Sequence, residues 1–81
     1  MILKVLLING KFILIPATSI RYIEEGIVNP NEKEILVSKI HFSTNMIAIT
    51  LETVDSLNHR WIAALNNKPI PFEAANLYML S

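Results

Sequence analysis

Asp55 and His59 are the two side chains whose types and spacing could do chemistry, since they stand four residues apart. On a helix that separation puts both on one face, where they can share a metal ion or a substrate proton. Two ligands do not complete a site, and the other imidazole, His41, lies in a separate strand-like stretch. The pair reads first as part of a solvated helix face, and a small enzyme using Asp55 and His59 ranks third among the functions weighed. Glu24 and Glu25 are neighbours on a strand-like segment, so they point to opposite faces, the wrong geometry for paired carboxylates.

The chain of 81 residues contains no cysteine, which removes disulfides, thiolate zinc centres, iron–sulfur clusters and a cysteine nucleophile. Its two glycines, Gly10 and Gly26, are too far apart for a P-loop, a dinucleotide fingerprint or a nucleophile elbow, where the backbone must approach a phosphate or make a strained turn. No cofactor and no metal is expected. Seven Lys and Arg balance seven Asp and Glu, and the basic residues Lys4, Lys11, Arg21, Lys33, Lys39, Arg60 and Lys68 are dispersed. This balance does not predict the counterion release that drives nucleic-acid affinity. Phe12, Tyr22 and Phe42 lie on strand-like segments, but a base-stacking platform is accompanied by a basic groove, so core packing is the preferred reading.

The elements that must position these residues follow from periodicity. Ile2 to Pro16 holds two apolar, β-branched runs around Asn9-Gly10, the strongest short-range signal for a hairpin and one that suggests a two-residue type I′ turn. Along its first strand Leu3, Val5 and Leu7 face one side and Ile2, Lys4, Leu6 and Ile8 the other. Both faces are largely apolar, so the hairpin is expected to be central to a sheet or buried in an interface. A third strand is expected at Ile20 to Glu25, with Arg21, Ile23 and Glu25 on one side and Ile20 and Tyr22 on the other. Gly26 to Glu34 has the Gly and Asn-Pro-Asn chemistry of a loop, although Ile27 and Val28 can extend the strand. Two more strands, Ile35 to Phe42 and Met46 to Leu51, flank a turn at Ser43-Thr44-Asn45.

The period then becomes helical. Val54, Leu57, Trp61, Ala64 and Leu65 fall at spacings of three and four, which makes one stripe anchored by Trp61. Thr53 suits the N-cap, Asp55 the first turn, and Asn66-Asn67 a left-handed cap ahead of Lys68-Pro69. The segment 70–80 is apolar and should dock, as a short helix burying Phe72, Leu77 and Leu80 or Ala74, Leu77 and Tyr78, or as a final strand.

The stretch INGKFILIPATSIRYIEE, Ile8 to Glu25, followed by strands and the helix ETVDSLNHRWIAAL, resembles the small FlbD-type flagellar proteins, which pair an N-terminal Leu-Asn-Gly-Lys hairpin with an Ile-Glu strand and a C-terminal helix. Ile15-Pro16 and Ile20 to Glu24 are similar to the start of LytTR-type DNA-binding domains. Either likeness covers about half the chain and implies a β-meander with a helix, an associational warrant. The tail NNKPIPFEAANLYML lacks the basic segment with which LytTR domains approach DNA, so the resemblance carries over no DNA-contacting residue.

The expected fold is a single α+β domain over residues 1–81, an antiparallel meander of four to five strands with one amphipathic helix on a face and a docked C-terminal tail. With 52% hydrophobic residues, so small a domain cannot bury all its apolar surface alone. The expected function is therefore a non-catalytic protein-interaction module, a regulatory accessory protein or an inhibitor that occludes a partner surface, with a homodimer as one form of it. A nucleic-acid-binding regulator is the alternative. The expected partner-binding residues are Leu3, Val5, Leu7, Asn58, His59 and Arg60. Lys4, Asn9, Gly10 and Lys11 interrupt the N-terminal apolar run short of the roughly 20 residues a spanning helix needs, and the absence of cysteine suits the reducing cytoplasm.

Overall fold

The computed structural model describes residues 1–78. Five antiparallel strands and one helix make an α+β fold: β1 (Ile2–Leu6), β2 (Phe12–Pro16), β3 (Ile20–Val28), β4 (Ile35–Phe42), β5 (Ile47–Thr50) and α1 (Val54–Leu65). The strands do not form one continuous meander. β1 and β2 make a two-stranded sheet, and β3, β4 and β5 a three-stranded sheet in that order. The two meet where Leu7 bridges Thr50 and the Ile8 N–H donates to the Ile49 carbonyl (3.0 Å).

The turn chemistry explains that junction. The first hairpin forms, but its turn is not type I′. Gly10 N–H donates to Leu7 O (2.9 Å) and Leu7 N–H to Lys11 O (2.8 Å), which encloses a three-residue loop with Gly10 alone at positive φ (88°). Asn9 keeps negative φ because its Oδ1 accepts from Lys11 N–H (3.0 Å), a local bond that substitutes for the left-handed conformation. This is the loop in which a type I turn is followed by a left-handed residue. The same design recurs between β4 and β5, where Phe42 N–H donates to Met46 O (3.0 Å), Asn45 N–H to Phe42 O (3.1 Å), and Asn45 takes φ 65°.

β3 crosses Gly26 and continues to Val28, which leaves a shorter loop than expected, with Asn31 (φ 53°) and Glu32 (φ 64°) left-handed in it. Gly26 pairs with Val37, and the Lys39 side chain lies over it; a Cβ there would stand 2.8 Å from Lys39 Cε. At the other end of β3 the register shifts between Ile20 and Tyr22. That bulge breaks the expected alternation: Ile20 is buried and Tyr22 exposed, so the two do not share a face.

One apolar cluster takes Leu3, Val5 and Ile15 from the hairpin, Ala17 from the next bend, Ile20, Ile40 and Ala48 from the second sheet, and Leu57 and Ala64 from α1. Thr53 caps the helix by accepting from Ser56 N–H (3.2 Å). Its C-terminus closes on Asn67 (φ 58°), with Asn67 N–H to Ala64 O (3.1 Å) and Lys68 N–H to Ala63 O (2.8 Å), the paired bonds of a Schellman motif. The buried stripe differs from the expected one: Arg60 is buried and Leu65 exposed. The tail docks through a 3-10 turn at Ala74–Asn76 and a bridge between Glu52 and Leu77, with Thr53 N–H bonded to Asn76 O (2.9 Å). The contribution expected of Leu80 lies outside the described residues. Among the described residues, no helix is long and apolar enough to cross a membrane.

Candidate functional site

Asp55 and His59 are both exposed on α1, as the helical period requires. They line a shallow groove of about 420 Å³ whose other wall is the returning tail at Pro71 and Glu73. Among the described residues, no three His, Cys, Asp or Glu side chains come together to hold a metal ion. His41 is elsewhere, on the outer face of the second sheet. There its ring stacks on Tyr22, centroids 4.1 Å apart and planes 12° from parallel, and its Nε2 lies against the Glu24 carboxylate. No aligned hydrogen bond accompanies that contact. Glu25 projects to the opposite face, where its carboxylate accepts from the Tyr78 hydroxyl (3.1 Å), so the two acids diverge as strand geometry demands.

The aromatic residues weighed as a stacking platform are likewise dispersed. Phe42 packs against the core, Tyr22 is engaged with His41, and Phe12 meets Phe72 edge-on at 5.6 Å. Lys4 Nζ sits 4.5 Å from the Phe12 centroid and the Arg60 guanidinium carbon 5.8 Å from that of Phe72. This row of rings and cations lies where the hairpin meets the tail.

Four of the residues expected to bind a partner are instead packed within this chain. Leu3 (3% exposed) and Val5 (0%) belong to the core of this chain, because their face of the hairpin is the one that α1 and the second sheet cover. Leu7 is half-buried against the same core. Arg60 (3% exposed) is also internal: Nη1 donates to Glu52 Oε1 (2.7 Å), Nη2 to Lys4 O (2.5 Å) and Nε to Ile70 O (3.2 Å). Asn58 and His59 remain on the surface.

Glu52, which the sequence reading did not single out, is completely buried. Its second carboxylate oxygen accepts from Ser56 Oγ (2.6 Å), its N–H donates to Thr50 Oγ1 (3.1 Å), and its carbonyl accepts from Ser38 Oγ (2.6 Å). A charged pair removed from water is tolerated when both partners are satisfied in this way. The signal was present in the spacing, since Arg60 falls three after Leu57 and four before Ala64 and so lies on the buried stripe.

Exposed apolar side chains occur on several elements, among them Ile27, Leu36, Met46, Ile47, Ile62 and Leu65, and one group of them lies on the other side of the hairpin. Ile2 (53% exposed), Phe12 (47%) and Leu14 (69%) face outward, each one residue out of phase with the core set. An apolar groove of about 430 Å³ opens beside the first turn between Ile8, Ile13, Phe42, Met46 and Ile47.

No protein-family model, curated protein or solved structure matches this chain.

Proposed function

We propose that this chain is a small non-catalytic protein-interaction module, acting by contact as an accessory protein or an inhibitor that occludes a partner's surface. The observation that carries the reading is the hairpin's two-sided apolar character with only one side consumed. Leu3, Val5 and Ile15 are used by the chain's own core, while Ile2, Phe12 and Leu14 stay exposed. Exposed apolar side chains grouped on one face mark contact surfaces more often than chance. The position of the chemistry-bearing residues supports the same reading. Asp55 and His59 stand exposed with no third metal-ligating group beside them among the described residues, and the buried charges, Glu52 and Arg60, are engaged with each other. The partner-binding set proposed is accordingly Ile2, Phe12 and Leu14, with Asn58 and His59 on the helix as a polar alternative.

The test is affinity capture with the full chain, followed by identification of the retained proteins, comparing wild type, Leu14→Glu and His59→Ala. A retained protein lost from Leu14→Glu and kept by His59→Ala is the expected result. Retention unchanged in a folded Leu14→Glu variant, or no retained protein at all, overturns the reading.

A further inference from the structure

The Leu7–Thr50 bridge brings the edges of β1 and β5 together, which leaves β2, paired only with β1, and β3, paired only with β4, as the two outer edges among the described residues. They differ in chemistry. β3 carries Arg21, Glu24 and Glu25 along its length, the charged residues that keep an edge from pairing with another chain. β2, Phe-Ile-Leu-Ile-Pro, carries no charge at all.

The direction of the unpaired backbone groups on β2 follows from its pairing. Leu7 N–H bonds Lys11 O, and Ala17 N–H bonds Met1 O (2.7 Å). In an antiparallel ladder bonded positions alternate, so Lys11, Ile13, Ile15 and Ala17 turn their polar groups toward β1. Phe12 and Leu14 turn their N–H and C=O groups outward, and Pro16 has no N–H to offer.

We infer that the β2 edge pairs with the β2 edge of a second copy of this chain, antiparallel, about a two-fold axis through Ile13. This deepens the proposed function, on which it rests, by naming one partner of the exposed hairpin. In that register Phe12 bonds Leu14 of the other copy in both directions, Leu14 does the same with Phe12, and Ile13 faces Ile13 across the axis. Side chains on the outer face then bring Leu14 against Phe12 of the other copy, which covers the two most exposed apolar residues of the strand. No like charges meet. Lys11 stands opposite Ile15, and the two copies of Lys4, in register with Leu14, are three strand spacings apart, about 14 Å, beyond the roughly 8–10 Å over which charge acts at moderate salt. Pro16 ends the ladder where it meets Gly10 of the other copy. A five-residue edge with three exposed apolar side chains buries less than the roughly 800 Å² per partner of a stable dimer, so the association is reversible and concentration-dependent.

The register is testable because the chain has no native cysteine. Facing positions at a non-bonded antiparallel pair have Cα atoms about 4.5 Å apart, within disulfide reach, whereas two copies of residue 14 stand about 8 Å apart, outside it. Under mild oxidation of the full chain, Ile13→Cys is expected to give a covalent dimer and Leu14→Cys to remain monomeric. Sedimentation of the wild type should show mass rising toward twice the monomer with concentration, and Leu14→Pro, which removes an outward N–H without touching the β1 ladder, should hold it at the monomer. Leu14→Lys provides the same reading if the proline variant does not fold. A wild type that stays monomeric at every concentration, cross-linking of Leu14→Cys equal to that of Ile13→Cys, or a dimer that persists in Leu14→Lys overturns the inference. The wider module reading is judged separately, by capture of a different protein, so either can fail without the other.

Discussion

Two acid–base pairs in this small fold have opposite circumstances. Glu52 and Arg60 are sealed inside, 0% and 3% exposed, and every polar atom described on them has a partner in the chain. Glu24 and His41 meet on the outer face of the second sheet, with the Glu24 side chain 48% and the His41 side chain 16% exposed. The inner pair is a junction: Arg60 bonds the backbone of β1 at Lys4 and of the tail at Ile70, while Glu52 reaches Ser56 on α1 and Ser38 on β4. The outer pair joins adjacent strands that a long ladder already holds together. Burial converts the inner ion pair into a requirement of the fold, and the outer contact stays a local one between strands already paired.

The comparison breaks most clearly at Glu52. Glu52→Ala leaves the Arg60 guanidinium buried without its counter-charge and should cost about 3–5 kcal/mol, read as a lower urea midpoint at unchanged slope. Replacing both partners, Glu52→Leu with Arg60→Met, should recover much of that loss, because the penalty lies in the orphaned charge rather than in the missing attraction. A double variant as unstable as the single one would show that the side-chain bonds of Arg60 to Lys4 and Ile70 and of Glu52 to Ser56, not the charges, hold the junction. Trp61→Phe offers an uncharged reference on the same helix. It deletes the bond from Trp61 Nε1 to Ala17 O (2.8 Å) and should cost about 1–2 kcal/mol in the same measurement.

The difference between the pairs also marks what was legible in the sequence. The helix was readable to its ends because Thr53, the apolar period and Asn66-Asn67 all act locally, and local chemistry is what a pattern encodes. The α+β class and the strand segments were readable from alternation and turn residues. The arrangement in two sheets was not, since the place where they meet depends on Ile8 reaching Ile49 across about forty positions of chain, a contact with no local signature. The face exchange at Ile20 was hidden for a related reason, a bulge that inserts one residue into an otherwise regular alternation. Arg60 was misassigned to the surface by its charge, although its place on the stripe said otherwise. Its counter-charge, Glu52, sits in the strand-to-helix connection, where no periodicity marks a residue as buried. For the hairpin, the sequence showed two apolar faces without saying which the core would take; that choice belongs to the packing of α1.

The outer pair should yield the smallest effect and the most informative one about solvent. Glu24→Gln keeps the shape of the side chain and removes its charge, and the loss expected is below about 1 kcal/mol, as for exposed pairs generally. The Tyr22 ring stays stacked on His41, so the imidazole keeps its position when the carboxylate is neutralised. Salt separates the two pairs further. At 1 M the screening length falls to about 3 Å, which weakens an interaction open to water and leaves one enclosed by protein nearly untouched. The stability difference between wild type and Glu24→Gln should therefore vanish in high salt, while that between wild type and Glu52→Ala persists. Should the Glu24→Gln difference survive at 1 M, the contact is held by stacking and packing around His41, and the comparison is one of burial alone rather than of charge.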